Sequence, residues 1–218
     1  MSEFQEPIAT KAALYVDGFN LYHALHDNGD NFLKWLNLWR LGELLCEERA
    51  YRLVKVVFCT ALPDEASDSR DRHITYINAL SAVKVTVIRG HHITDPESGK
   101  RTEKQSDVNL ALSLICDAAD GVFDVAYLLT ADSDQAATGR VFKERHPEKA
   151  LFSVSPIKRP PPQKLRPFVT RSFELTVDQV EKSLFPVTVM GAKGGIRRPA
   201  AYDPPDWWVH PDQRPRKK

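Results

Sequence analysis

Five short runs rich in β-branched and aromatic residues alternate with stretches of helical spacing, and this alternation constrains the chain most. The runs cover residues 12–16, 51–61, 83–88, 123–130 and 150–154. Apolar runs of that length, bounded by turn formers, read as strands. Between them, residues 20–26 carry Leu21, Tyr22, Ala24 and Leu25 at helix-compatible spacing, and residues 38–49 place Leu41, Leu44 and Leu45 on one face. A polar run at 65–72 followed by Ile74, Ile77, Ala79 and Leu80 predicts a helix with a wet first half. Residues 107–119 are apolar nearly all round (Val108, Leu110, Leu112, Leu114, Ile115), which predicts a helix buried on most sides and capped by Ser106. A last helix is expected to open at Ala131. The pattern predicts an α/β sandwich with a mainly parallel central sheet.

Beyond the fifth strand, residues 156–162 hold four prolines and read as an extended connector. Residues 168–184 predict a short strand and a helix capped near Thr176. The resulting organisation is a tail at 1–11, one domain at 12–185, and a Pro-rich, basic and aromatic tail at 186–218. That last segment carries Arg197, Arg198, Trp207, Trp208 and a terminal basic cluster, an expected contact for RNA, a protein partner or a second copy, with a disordered extension as the alternative. A formal net charge of +1 means that any surface for a polyanion must be local. Cys46, Cys59 and Cys116 are widely spaced among apolar neighbours, which predicts reduced, buried thiols. The polar, acidic start of the chain, and the lack of any apolar run near the roughly 18 residues of a membrane span, predict a cytoplasmic protein with no membrane partner.

Asp17 ends the first strand and is followed by a glycine that would let the backbone turn tightly into a helix. In a parallel α/β fold, strand C-termini and helix N-termini share one edge of the sheet, where ligands bind. Asp107 at a helix start, and Asp132 and Asp134 after the fourth strand, reach the same edge. Each alone reads as a turn former or cap, and Asp120 and Asp124 show how common such residues are. Taken together they suggest a carboxylate site for a hard divalent ion, which takes oxygen ligands and relieves like-charge repulsion.

The segments YVDGFNL (15–21), KQSDVNLA (104–111) and LLTADSD (128–134) resemble the three signature motifs of NYN-domain proteins, the LabA-like members of the PIN-like nuclease superfamily. The resemblance covers roughly residues 10–185. It implies a PIN-like three-layer α/β/α fold and an RNA-cleaving site in which Asp17, Asp107, Asp132 and Asp134 hold Mg²⁺ or Mn²⁺ and a metal-activated water attacks the phosphodiester. It also implies that Asn20 orients Asp17 or touches substrate, and that Thr130 hydrogen-bonds a carboxylate or phosphate. Gln135 stands where many relatives have an aromatic residue.

Arg89, His91, His92, Lys100, Arg101 and Lys104 lie near the expected active edge as candidate phosphate contacts, with a solvated loop charge as the alternative for each. Arg70, Arg72 and His73 read by default as a solvated helix face. Phe19 and Tyr22 suit stacking on unpaired bases, whereas Tyr15 reads as core; Trp35 and Trp39 either wall the cleft or pack beneath it. Single-stranded or unpaired RNA is the expected partner, and a non-catalytic RNA-binding or protein-interaction module on the same fold is the alternative. A haloacid-dehalogenase-type phosphatase is excluded, because it needs an acid where this chain has Phe19.

Overall fold

The computed structural model describes residues 9–62, 67–94 and 101–215, with 91–94 and 101–104 described as backbone alone. The chain opens with β1 (Lys11–Asp17), α1 (Gly18–Asp27), α2 (Leu38–Glu47), β2 (Arg52–Thr60), α3 (Asp68–Ala82) and β3 (Thr86–Arg89). Then come the paired strands β4 (His91–Thr94) and β5 (Arg101–Lys104), followed by α4 (Ser106–Ala119), β6 (Val125–Leu129) and α5 (Ala136–Arg145). The last elements are β7 (Ala150–Ser155), β8 (Arg171–Glu174), α6 (Val177–Lys182), β9 (Thr188–Gly191) and β10 (Gly194–Arg197).

Six strands form one sheet in the order β3-β2-β1-β6-β7-β8, with every pairing parallel. The central strands are apolar on both faces, as a sheet covered on both sides requires. On β1, Ala12, Leu14 and Val16 join the core beneath α1, α2 and α3, whereas Ala13 and Tyr15 join the core beneath α4 and α5. This is a three-layer α/β/α sandwich. The chain builds outward from β1 to β3, returns, and builds the other way through β6 to β8. The reversal falls between β1 and β6, the crevice where such sheets receive ligands.

Several expectations change at the residue level. The strand expected at 83–88 begins at Thr86, because the N–H groups of Val83 and Val85 both bond the Leu80 carbonyl and Lys84 adopts φ 68°. Ser106 does not cap α4: it is the first helical residue, preceded by Gln105 at φ 81°. Nor is α4 buried on most sides, since Val108 and Leu112 are 59% and 57% exposed. Its apolar circumference outruns the surface that the sheet offers. The helix expected from Ala131 starts as a short 3-10 turn, Ser133–Gln135, before α5 begins. Cys46 and Cys59 are buried, but Cys116 lies on the exposed side of α4.

The proline-rich stretch joins β7 to β8 without an α-helix, anchored by buried Ile157 and Leu165. Thr176 caps α6 through a reciprocal capping box with Gln179. Past residue 185 the chain continues as ordered structure: β9 and β10 pair antiparallel, Val189 and Tyr202 enter the core, and Trp208 donates to Glu181 at 2.7 Å. Trp35 is buried and donates to the Pro186 carbonyl at 2.9 Å, so it packs beneath the surface. Among the described residues no helix is long and apolar enough to cross a membrane.

Candidate functional site

Asp17 occupies the last position of β1 and the N-cap of α1, with 2% of its surface exposed. Its Oδ1 accepts the Asn20 N–H at 3.0 Å, and its Oδ2 accepts both the Asn20 amide and the Thr130 hydroxyl, the latter at 2.9 Å. Thr130 follows β6 directly and is fully buried. Its Oγ1 also accepts the Asp132 N–H at 3.0 Å, so one hydroxyl ties the ends of both switch-point strands together. Burial pushes the Asp17 carboxyl above the usual carboxylate range; the bonds from Asn20 and Thr130 oppose that shift, and the Asp132 charge adds to it.

Asp132 caps the turn after β6, its Oδ1 accepting the Asp134 N–H at 2.9 Å. Asp134 and Asp107 are exposed on either side. Gln135 is buried, receives the Thr138 hydroxyl at 2.8 Å, and reaches the Asp107 carbonyl over 3.5 Å, so it packs the turn against the start of α4. Asp17, Asn20, Thr130 and Asp132 are thus brought together. Among the described residues no three His, Cys, Asp or Glu side chains group closely enough to hold a metal by themselves.

Gly18 has a different role from the one expected. It is absent from the glycines of positive φ; instead, a Cβ there would stand 2.5 Å from the Cys59 carbonyl oxygen and 2.8 Å from the Phe58 ring. The first turn of α1 therefore rests directly on β2, which fixes where Asp17 points.

The other half of the edge, over β1, β2 and β3, is cationic. Arg89 ends β3 opposite Thr60, whose hydroxyl shares a 3.0 Å hydrogen bond with His73 Nε2. His91 and Lys104 are register partners in the β4–β5 pair, with only their backbones described, and Lys100 lies outside the described residues. The reading of Arg72 and His73 as a solvated face is overturned. His73 lines a small cleft with Gly18, Tyr22, Lys34 and Tyr202, and the Arg72 charge acts on the Tyr202 hydroxyl. The sequence signal was available, since His73, Tyr76, Ile77 and Leu80 recur at one helix face. Lys34, which carried no motif, is 8% exposed with its ammonium 4.8 Å from the Tyr22 ring. Phe19, 58% exposed, packs on His23, and Tyr22 lies parallel to the His26 ring.

Burial, helped by the Arg89 charge, lowers the His73 pKa from 6.5 to about 4. The unfolded chain takes up this proton near 6.5 and the folded protein resists it until about 4, so the folded state binds fewer protons across that window. The stability His73 supports is complete above 6.5 and falls as pH falls toward 4, by roughly 2–3 kcal/mol. Chemical denaturation between pH 7 and 4 should show that decline, and a His73→Gln protein should lose this part of the pH dependence.

No protein-family model matches the chain. It is 29% identical over 173 residues to a 6-hydroxy-3-succinoylpyridine 3-monooxygenase of Pseudomonas putida, a match covering 60% of this chain and 54% of that protein. The chain therefore spans about half the length of the curated relative it matches. The crystal structure of a protein of unknown function from Vibrio parahaemolyticus superposes with a TM-score of 0.56 at 18% identity, covering 80% of this chain and 98% of that one. This likeness shows the fold, an α/β/α sandwich around a parallel sheet.

Proposed function

We propose that the chain is a divalent-metal-dependent ribonuclease of the NYN, PIN-like type, acting in the cytoplasm on single-stranded or unpaired RNA. One observation carries the reading: the Thr130 hydroxyl joins a buried Asp17 carboxylate to the Asp132 turn at the topological switch point. The donor set fits Mg²⁺ or Mn²⁺, which protein sites hold through one or two carboxylates while water and substrate phosphate complete the shell. Asp17 and Asp132 would hold the ion, with Asp107 and Asp134 exposed at the start of α4 and in the turn after β6. When bound, such an ion neutralises phosphate charge and lowers the pKa of its water. Asn20 and Thr130 occupy three of the lone-pair directions of Asp17 and leave one on Oδ1 open. Orientation of this kind is what second-shell hydrogen bonds supply.

The test is cleavage of a labelled single-stranded RNA with Mn²⁺ by wild type and by Asp132→Asn. The variant should lose at least about 100-fold in rate, more than second-shell changes usually cost. Equal rates would remove Asp132 from the site.

The exposure of Asp107 and Asp134 favours a second reading, an RNA-binding module without cleavage. RNA retention with no product under any divalent ion would select it. The curated relative adds an assay arm of its own. Turnover of 6-hydroxy-3-succinoylpyridine with oxygen and a reductant, unaffected by added RNA, would move the assignment to hydroxylation.

A further inference from the structure

We propose that the cleft beside Gly18 is a pocket for a terminal phosphate monoester of the RNA strand, with Lys34 as its cationic contact and the Arg72 charge close by. The inference rests on reading the Asp17 edge as RNA-facing. Lys34 is more than nine-tenths buried, and its ammonium meets the Asn31 Oδ1 at 2.8 Å, the His26 Nδ1 at 3.0 Å and the face of Tyr22. Among the described residues no carboxylate forms an ion pair with Lys34, Arg72 or Arg89. Buried charge without a counter-charge is costly, and a second cation nearby adds to that cost. Burial first, and the Arg72 charge second, accordingly lower the Lys34 pKa. An incoming anion removes the penalty, and a monoester dianion removes more of it than a diester.

The shape selects a strand end. The cleft holds about 30 Å³, and Leu21, Leu25, Phe58 and Tyr76 close its floor, so a small group enters and a continuous strand cannot pass through. Tyr22 lines the cleft and is partly exposed, so a terminal base can stack on it. Gly18, in the wall, is the residue after Asp17. The acidic and cationic halves of the edge thus face adjacent parts of one substrate.

Fluorescence anisotropy in EDTA would compare one single-stranded RNA bearing a 5′-phosphate, a 3′-phosphate or hydroxyl ends. One phosphorylated form should bind about tenfold tighter than the hydroxyl form, and Lys34→Met and Arg72→Gln should each erase the preference. Arg72, whose charge acts on Lys34 without lining the cleft, gives the variant Arg72→Gln that serves if Lys34→Met does not fold by circular dichroism. Equal affinities for all three RNAs, or a preference unchanged in a folded variant, would overturn the pocket. Because no metal is present, a preference without Mn²⁺-dependent cleavage would refute the nuclease reading and leave the pocket standing.

Discussion

An Asp17→Asn protein should keep its fold and lose at least about 1,000-fold in Mn²⁺-dependent RNA cleavage, a barrier increase of roughly 4 kcal/mol. The two halves of that result have separate causes. Asparagine is nearly isosteric: its single oxygen can take the Asn20 N–H and keep the cap, while its NH2 turns to the Thr130 hydroxyl, which can rotate and accept from it. It also removes a charge that the fold pays to bury. Because the folded pKa of Asp17 is raised, its ionised form costs stability above that pKa and nothing well below it. At neutral pH the variant should therefore melt at the wild-type temperature or higher, and at acidic pH the two should converge. A site kept at the expense of stability behaves in this way. Thr130→Val is the companion change, leaving Asp17 in place and freeing its orientation, with an expected loss of about 10–100-fold. Cleavage at the wild-type rate in Asp17→Asn would end the proposal.

The largest expected effect on stability belongs to Gly18→Ala. The added methyl would lie 2.5 Å from a backbone oxygen in β2, and a backbone atom in the middle of a sheet has little room to yield. A loss of about 3 kcal/mol follows, which in a chain of this size lowers the melting temperature by roughly 6–12 °C. Gly29→Ala is the control: it has a φ of 88° but nothing within 4 Å, so only backbone strain of about 1 kcal/mol applies. Equal losses at the two sites would show that close packing on β2 is not what Gly18 provides.

The layout of the fold was legible because parallel strands buried on both faces leave continuous apolar runs, and β1, β2, β6 and β7 each show one. Asp17, Asn20, Thr130 and Asp132 were legible for a related reason: strand ends and helix starts share an edge whatever the loops do. What could not be read is how far apart carboxylates on that edge stand, since the answer depends on side-chain direction in turns such as Asp132–Asp134. The cationic cleft was illegible for another reason. Its walls come from α1, the 3-10 turn Asn31–Lys34, α3 and Tyr202, segments that no local pattern associates. The exposed Val108 and Leu112 teach the converse, since an apolar circumference states what a helix can bury and not what its neighbours will cover.

The path of the chain after α6 has a consequence for how the molecule can be divided. Tyr202 forms part of the cleft wall, while the Trp208 ring rests 5.4 Å from Phe32, two residues before Lys34. Residues 186–215 thus act as a retaining strap across the cleft side of the molecule, packed into the same core as the sheet. A protease nick or a fused tag that loosens the strap would reach the pocket without touching a catalytic residue.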